Sequence, residues 1–283
     1  MSATLLDGRV VASKILESLK PRVKALNPTL VIVQVGEDPA STTYIQAKLK
    51  ACSEIGMRTE HRKFPTTLTA QTLIEDVHRL NADPDTTGYI IQLPLPDHLW
   101  KAFPMVVREI DPRKDVDGFT AYNLGKVVLS TEFEHLPPAT PLGVIELLDF
   151  YSIPIEGRHA VVVGASNIVG KPLAAMLLNR GATVTVCHIK TKDLASHTRQ
   201  ADILVSAVGK PKLITPDMVK EGAVVIDVGI SKTPHGIRGD VDFEAVSKVA
   251  SWITPVPGGV GPMTVACLLR NVIGAKERQL EKV

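Results

Sequence analysis

The sequence predicts an α/β protein with two domains around a cleft, and three observations support this class. Short apolar β-like runs alternate with helical patterns along most of the 283 residues. Several of these runs are apolar throughout, which is typical of parallel strands covered on both faces. Three prolines within Leu136–Pro141 interrupt the alternation and indicate a domain boundary. We therefore expect a first domain at residues 1–138, a second at 139–264, and a last helix at 265–283 that packs back on the first.

The elements follow from the period of the apolar residues and from the turn residues between them. The predicted strands are Thr29–Val35, Thr59–Phe64, Gly88–Leu93, Ala160–Val163, Thr183–Cys187, Ile203–Ala207, Val224–Val228 and Ser251–Thr254. The predicted helices are Val10–Leu26, Thr43–Ile55, Leu68–Leu80, Leu142–Phe150, Pro172–Asn179 and Val265–Lys282. The polar segment 111–134 is predicted to be an irregular loop.

The composition describes a globular protein: 45% of the residues are hydrophobic and the net charge is only +2. This charge gives no reason to expect nucleic-acid binding, and no apolar run is long enough to span a membrane. The chain begins without a recognisable secretory signal. Cys52, Cys187 and Cys267 are odd in number and lack metal-ligand spacing, which favours a reducing compartment, the cytoplasm, and no metal site.

A long glycine- and proline-rich segment, Pro257–Thr264, lies between a predicted strand and the last predicted helix. Such a segment is either an ordinary turn or a rigid backbone wall against a flat ligand. We favour the wall because apolar segments bound the cluster on both sides.

A second glycine-containing turn, Gly164–Pro172, connects a predicted strand to a predicted helix. A turn of this kind presents backbone N–H groups and a helix N-terminus to a pyrophosphate. Its spacing is G-x-S-x-x-x-G and not G-x-G-x-x-G, so a plain βα turn stays as the alternative. The dinucleotide interpretation makes the second domain a Rossmann-like doubly wound parallel sheet, with Gly164, Ala165, Ser166 and Ile168 at the cofactor.

The end of the next strand bears on the choice of cofactor. Many NAD sites place a carboxylate there for the ribose 2′-hydroxyl, whereas this chain has Lys190 and no carboxylate in residues 187–191. Lys190 could pair with a 2′-phosphate, which favours NADP, or be an ordinary solvated lysine. Two further strands end in glycine, which adds Gly209 and Ile230 to the candidate cofactor edge.

Three weaker signals fall where predicted elements of the first domain begin or end. Tyr44 and Lys48 are four residues apart and share one helical face, which is also the common pattern of a solvated pair. Gln92 is a polar residue at the end of an apolar strand. Asp115 and Asp117 form an i,i+2 carboxylate pair, which fits either a turn or a cation site.

Taken together, these segments resemble the bifunctional methylenetetrahydrofolate dehydrogenase/cyclohydrolase family over nearly the whole chain. The matching segments are Gly36–Ser41 with Tyr44 and Lys48, Gln92–Pro96, Lys114–Phe119, Gly164–Pro172 and Pro257–Thr264. The resemblance implies oxidation of 5,10-methylenetetrahydrofolate by NADP, then hydrolysis of the methenyl product to 10-formyltetrahydrofolate. It also implies a role in one-carbon metabolism and purine biosynthesis, and a homodimer joined through the nucleotide domains.

The resemblance further implies roles for particular residues. The implied catalytic residues are Tyr44, Lys48, Gln92 and Asp117. The implied substrate-binding residues are Tyr44, Gln92, Leu93, Pro94, Asp117, Pro257, Gly258, Gly259 and Val260. The implied cofactor-binding residues are Gly164, Ala165, Ser166, Ile168, His188, Lys190, Gly209 and Ile230.

Hydrolysis requires a base, so the pKa of Lys48 must fall from about 10.4 toward neutrality. A carboxylate beside the amine would raise that pKa. We therefore expect neutral Gln92, and not Asp117, to be the hydrogen-bond partner of Lys48.

The chain departs from the family pattern at two positions. Ala139 stands where relatives often have Cys or Ser, so no hydroxyl or thiol acts there. Ile189 stands where many relatives have Arg or Ser, which leaves Lys190 and His188 to hold a 2′-phosphate and keeps NAD open as the cofactor.

Two other functions remain compatible with parts of the pattern. One is a two-domain dehydrogenase of the shikimate or amino-acid type without hydrolase activity, which would not need Tyr44, Lys48 and Asp117 to converge. The other is a nucleotide-binding protein without catalysis, which would bind NADP without turnover.

Overall fold

The chain, described here from a computed structural model, is placed for residues 2–234 and 236–281. Its internal contacts divide these residues into two compact units. The six-stranded unit contains residues 2–13, 127–133 and 140–264, and the three-stranded unit contains 14–126, 134–139 and 265–281. This division differs from the predicted boundaries, because residues 2–13 and 127–133 group with the later part of the chain.

The strands and helices alternate along most of the chain. The strands are β1 (Thr4–Leu5), β2 (Thr29–Val35), β3 (Arg58–Phe64), β4 (Gly88–Ile91), β5 (His159–Val163), β6 (Thr183–Cys187), β7 (Ile203–Ser206), β8 (Val224–Asp227), β9 (Ser231–Thr233), β10 (Gly236–Arg238) and β11 (Trp252–Ile253). The helices are α1 (Gly8–Leu26), α2 (Pro39–Ile55), α3 (Ala70–Ala82), α4 (Asp97–Trp100), α5 (Phe103–Arg108), α6 (Ala121–Leu129), α7 (Ala139–Phe150), α8 (Gly170–Asn179), α9 (Leu194–Thr198), α10 (Phe243–Val246) and α11 (Val260–Leu280).

The three-stranded unit is built on a parallel sheet in the order β3-β2-β4. The central strand β2 is apolar except for Thr29 and Gln34 and is buried along nearly its whole length. The C-terminal part of α11 belongs to this unit, because Asn271 donates hydrogen bonds to the carbonyl oxygens of Val116 and Pro137 at 2.9 and 2.8 Å. These contacts agree with the expectation that the last helix packs on the first domain.

The six-stranded unit contains a fully parallel sheet in the order β1-β11-β8-β7-β5-β6. The strands β5, β7 and β8 are buried and apolar in nearly every position, as parallel strands between two layers require. The two-residue strand β1 pairs with β11, which explains why the N-terminal residues join this unit. A separate antiparallel hairpin is formed by β9 and β10.

The observed elements correct several sequence-based expectations. The segment 111–134, expected to be irregular, contains α6 and a short 3₁₀ helix at Thr131–Phe133. Helix α2 begins at Pro39 and not at Thr43, because the Asp38 carboxylate accepts the Ser41 N–H at 2.8 Å and caps the first turn. The expected end of the last helix, Lys282, lies outside the described residues.

Two absences within residues 2–234 and 236–281 bear on function. No helix in this part of the chain is long and apolar enough to cross a membrane. In the same residues, no group of three or more His, Cys, Asp or Glu side chains is placed to hold a metal ion.

Candidate active site

The Lys48 amine is placed inside the three-stranded unit by α2. Its side chain is buried and donates a hydrogen bond to Gln92 Oε1 at 2.8 Å. Gln92 follows β4, and its backbone N–H donates to the Val33 carbonyl oxygen on the central strand β2. The predicted Lys48–Gln92 pair is therefore present, and no hydrogen bond joins Lys48 to Asp117 within the described residues.

The orientation of the Gln92 amide is fixed by its second hydrogen bond. Gln92 Nε2 donates to the Leu93 carbonyl oxygen at 2.7 Å, so Oε1 is the atom that faces Lys48. The same carbonyl accepts a hydrogen bond from Ser41 Oγ at 3.3 Å, and the Leu93–Pro94 peptide bond is cis. These contacts connect the first turn of α2 to the segment after β4.

Burial dominates the electrostatics of Lys48. Desolvation lowers the pKa of its ammonium group, while the nearby Asp117 and Cys52 act in the opposite direction. Burial raises the pKa of the Cys52 thiol to about 12, so this group is uncharged at neutral pH. The Lys48 amine therefore loses its proton more readily than the amine of an exposed lysine.

Asp117 lies on the loop before α6, and Asp115 holds that loop. The Asp115 carboxylate is fully buried and accepts backbone N–H groups from Gly118, Phe119 and Thr120 at 2.8–3.1 Å. Its fourth donor is Asn123 Nδ2, at 2.9 Å. The two carboxylates therefore differ in environment, because Asp115 is saturated with donors.

The pKa of the Asp117 carboxyl is raised to about 6 by desolvation, with the charge of Asp115 adding to this and the charge of Lys48 opposing it. Tyr44, one helical turn before Lys48, is half-buried, and burial raises the pKa of its phenol. Tyr44, Lys48, Gln92 and Asp117 all belong to the three-stranded unit. The charges of Lys48 and Asp117 act on each other's pKa.

The other predicted substrate segment, Pro257–Val260, belongs to the six-stranded unit and leads into α11. Gly258 has a φ of +116°, a conformation that residues with a side chain rarely adopt. A Cβ at Gly259 would lie 2.6 Å from the Pro255 carbonyl oxygen, and a Cβ at Gly8 would collide with the Gly259 carbonyl. Backbone therefore packs directly on backbone here, as expected for a rigid wall.

The predicted dinucleotide turn connects β5 to α8. Gly164 has a φ of +117°, and a Cβ there would collide with the Ala207 carbonyl oxygen. A Cβ at Gly170 would collide with the Gly164 carbonyl in the same way. The Ser166 hydroxyl accepts the N–H groups of Val169 and Gly170 at 3.1 and 3.4 Å, at the start of α8. The turn is compact, and its last residues lead into the N-terminus of α8, where a pyrophosphate would approach the backbone N–H groups.

Residues 187–191, at the end of β6, contain hydrogen-bond donors and no carboxylate. Lys190 N–H donates to His188 Nδ1 at 3.1 Å, so a neutral His188 ring carries its proton on Nε2. The Ile189 side chain is 96% exposed and the Lys190 side chain is also exposed. His188 Nε2 and Lys190 Nζ are therefore available as donors to a phosphate.

Sequence reasoning missed two residues beside the predicted site. Asp115 was noted only as half of a carboxylate pair, although it organises the Asp117 loop. Cys52 was treated as a structural thiol, although it is buried one helical turn from Lys48, and the charge of Lys48 acts on the pKa of its thiol. The i,i+4 spacing from Lys48 was the available signal for Cys52.

The compact βα turn at the carboxyl end of a parallel sheet and the buried Lys48–Gln92 pair define a dinucleotide-dependent enzyme of the two-domain α/β class. Comparison with known proteins then identifies the family. The model of the tetrahydrofolate dehydrogenase/cyclohydrolase catalytic domain matches residues 6–117, and that of the NAD(P)-binding domain matches residues 138–280. The chain belongs to this family.

Relatives cover the chain almost completely. The bifunctional protein FolD of Nitratiruptor is 51% identical over 97% of this chain and 99% of its own length. The crystal structure of the bifunctional FolD enzyme from Campylobacter jejuni has a TM-score of 0.92 at 48% identity, over 98% of this chain and 100% of that one. The Trypanosoma brucei FolD structure, complexed with NADP cofactor and an inhibitor, has a TM-score of 0.93 at 37% identity over 99% of both chains.

Proposed function

We propose that this protein oxidises 5,10-methylenetetrahydrofolate with NADP and then hydrolyses the 5,10-methenyl product to 10-formyltetrahydrofolate. Family membership supports both activities, and one observation carries the assignment of the site. The buried Lys48 amine donates to a neutral amide, Gln92, in a setting that lowers its pKa. A base of this kind is required for the hydrolytic step and is not needed for hydride transfer.

NADP, when bound, supplies the hydride acceptor for the first reaction. The close packing of the turn requires glycine at 164 and 170, because a Cβ at either position would collide with the backbone of Ala207 or Gly164. The turn packed in this way leads into the first residues of α8, whose N–H groups suit a diphosphate. We assign Gly164, Ala165, Ser166 and Ile168 to the diphosphate turn. Gly209 and Ile230, which follow β7 and β8, complete the same edge of the sheet.

The preference for NADP over NAD rests on His188 and Lys190. Both can donate to a 2′-phosphate, and the segment 187–191 has no carboxylate to repel it. Ile189 offers no polar group, so we assign the discrimination to its two neighbours.

For hydrolysis, we assign Lys48 as the general base. Neutral Lys48 takes a proton from water as the water oxygen attacks the cationic methenyl carbon, and the adduct opens to the 10-formyl product. Gln92 holds the amine in place without adding a negative charge that would stabilise its protonated form.

The remaining assignments concern the folate. The Asp117 carboxylate can accept two hydrogen bonds from the 2-amino-pyrimidinone edge, which fixes the orientation of the pterin. Tyr44 can stack on the aromatic part of the substrate. We also assign to substrate binding the residues Leu93, Pro94, Pro257, Gly258, Gly259 and Val260.

We further infer a homodimer formed through the six-stranded unit. Strand β6 is the edge of its sheet within the described residues, and its Val186 side chain is 40% exposed. Leu178, on α8, is 62% exposed. Sedimentation of the wild type and of Val186→Lys tests this, and a monomeric wild type would contradict it. Cys52, Cys187 and Cys267 are buried and form no disulfide within the described residues, which is consistent with the cytoplasm.

One assay tests the function. Purified protein is mixed with methylenetetrahydrofolate and NADP, and the absorbance of methenyltetrahydrofolate is followed. We expect the absorbance to rise during oxidation and then to decay during hydrolysis. A rise without an enzyme-dependent decay would restrict the protein to a dehydrogenase. NADP binding without either phase would restrict it to nucleotide binding.

A further inference from the structure

Two buried carboxylates of the six-stranded unit, Asp227 and Asp240, lie outside the site described above. Asp227 ends β8 and accepts the N–H groups of Gly229, Asp240 and Val241 at 2.9–3.0 Å. Asp227 therefore holds the segment that carries Asp240. A Cβ at Gly239 would collide with the Asp227 carboxylate, so this close approach requires glycine.

Asp240 in turn holds the segment that follows β7. Its side chain is fully buried, and its Oδ2 atom accepts Ser206 Oγ at 2.9 Å and Val208 N–H at 2.7 Å. Its Oδ1 atom accepts Lys210 N–H at 2.7 Å. Both oxygens are thus committed to one short segment, Ser206–Lys210, and a carboxylate is the only side chain of this size that accepts on both atoms.

The segment held by Asp240 contacts the proposed dinucleotide turn. Ala207 N–H donates to the Val163 carbonyl at 2.7 Å, and the Ala207 carbonyl oxygen occupies the place where Gly164 would carry a Cβ. Gly209 lies between the two anchored N–H groups, has a φ of +77° and borders open space on the side of its missing Cβ. Ser231 Oγ donates to its carbonyl oxygen at 2.9 Å.

We propose that Asp240 is a positioning residue for the nicotinamide dinucleotide. Its carboxylate accepts the N–H groups of Val208 and Lys210. These two hydrogen bonds fix the backbone around Gly209 and the position of the Ala207 carbonyl against Gly164. The carboxylate itself is buried behind the segment and does not touch the cofactor. The inference rests on the proposed function, since it takes NADP as the group that lies on this backbone.

The variant that tests this is Asp240→Asn. An amide of nearly the same shape accepts on one atom only, so its NH₂ group must face either Lys210 N–H or Val208 N–H. We expect the Kd of NADP, measured by titration calorimetry, to rise roughly tenfold or more, as for the loss of a charged hydrogen bond. The KM for NADP rises in parallel, while the KM for the folate is unchanged.

Hydrolysis of supplied methenyltetrahydrofolate, assayed without NADP, is the internal control. We expect this rate to stay within about twofold of the wild type, because Lys48 and Gln92 lie in the three-stranded unit. The matched variant is Asp242→Asn, two residues away, which removes only an exposed 3.4 Å contact with Lys212. It should leave the Kd of NADP unchanged. An unchanged Kd in Asp240→Asn would overturn the proposal.

If Asp240→Asn does not fold, Ser206→Ala decides the matter. This variant removes one of the three donors to Asp240 and keeps both backbone N–H groups. Ser206 Oγ and Val208 N–H share the Oδ2 atom of Asp240, so without the hydroxyl that end of the carboxylate is held by one donor only. We therefore expect a smaller but measurable increase in the Kd of NADP with normal hydrolysis, and an unchanged Kd contradicts the proposal. Calorimetry keeps the two proposals separate, because NADP binding can be measured even if the wild type turns over no folate.

Discussion

Lys48 Nζ donates to Gln92 Oε1 at 2.8 Å, and the other end of the Gln92 amide is held by the Leu93 carbonyl. The amine is therefore oriented by a neutral group whose direction is itself fixed. A carboxylate at this distance would orient the amine equally well but would keep it protonated. An amide in place of a carboxylate is therefore what the proposed role of Lys48 as a base requires.

Replacing this amide by a carboxylate in Gln92→Glu should separate orientation from basicity. The new negative charge stabilises the ammonium form of Lys48, so the pKa of the amine rises and hydrolysis needs a higher pH. We expect the rate of hydrolysis at pH 7 to fall about tenfold or more, because less of the amine is neutral there, and to recover at alkaline pH. The pH–rate profile of hydrolysis measures this, with the exposed Gln71→Glu as control. A profile that does not move would argue against Lys48 as the base.

Removing the amine in Lys48→Met should abolish hydrolysis and leave a folded protein. The change replaces a buried amine by an apolar side chain of similar length, which removes the desolvation cost of the amine but takes a donor from Gln92 Oε1 and a neighbouring cation from Asp117. We therefore expect a folded protein with a melting temperature within a few degrees of the wild type, and an unchanged Kd of NADP. Lys50→Met, on the same helix but exposed, should keep full hydrolysis. Full hydrolysis in Lys48→Met would remove this lysine from the mechanism.

The sequence predicted the strands β2 to β8 and β11 and the helices of ten or more residues, but missed β1, the β9–β10 pair and the helices α4, α5, α6, α9 and α10. Strand β2 was predicted with its observed bounds because it is a buried and almost wholly apolar run, and the edge strand β6 because it alternates Thr and Val. The pairing of β1 with β11 left no local signal, since two residues have no period. Contacts between distant segments, which connect residues 2–13 to the six-stranded unit, are not encoded in local patterns.

The same distinction applies to the site. Lys48 and Gln92 could be paired because the family resemblance brings both to one site and a charge argument then favours the amide over Asp117 as the partner of the amine. The four donors that converge on Asp115 could not be predicted, because they are mostly backbone N–H groups whose directions depend on the turn. Asp240 was missed for the same reason. A buried carboxylate that accepts backbone N–H groups can be recognised only when the conformation of the surrounding loops is known.

Asp115→Asn should therefore disturb the Asp117 loop. The amide can accept on one atom, so either Gly118 and Phe119 or Thr120 and Asn123 lose their acceptor. We expect a loss of about 2 kcal/mol in the free energy of unfolding, as for hydrogen bonds to a charged group. The KM for the folate should rise, while the Kd of NADP stays the same.

Thermal melting and steady-state kinetics measure these effects, and the exposed Asp85→Asn serves as the control. An Asp115→Asn protein with normal stability and a normal KM for the folate would show that the loop does not need this carboxylate.

The raised pKa of Asp117 predicts an acid limit for substrate binding. An acid with a folded-state pKa of about 6 loses its charge as the pH falls through 6, and the neutral carboxyl accepts hydrogen bonds less well. We expect kcat/KM for the folate to decrease below about pH 6, because this quantity reports groups of the free enzyme. The variant Asp117→Asn should have a low kcat/KM for the folate at every pH. Its pH profile should not show the decrease below about pH 6. If the decrease below about pH 6 persists in Asp117→Asn, the group that titrates is not Asp117.

The segment after β6 predicts which cofactor is used. Lys190 carries the only cation in residues 187–191, and His188 adds a donor at Nε2 when its ring is neutral. We expect kcat/KM to be higher with NADP than with NAD, and Lys190→Glu to reverse this order, because a carboxylate repels the 2′-phosphate. The neighbouring Lys192→Glu carries the same charge change outside the assigned pair, so it should shift the ratio much less. Equal effects of the two variants would show that the 2′-phosphate responds to the general field of the segment and not to Lys190. A ratio at or below one in the wild type would mean that the lost polar side chain at Ile189 decides the preference, and that His188 and Lys190 do not replace it.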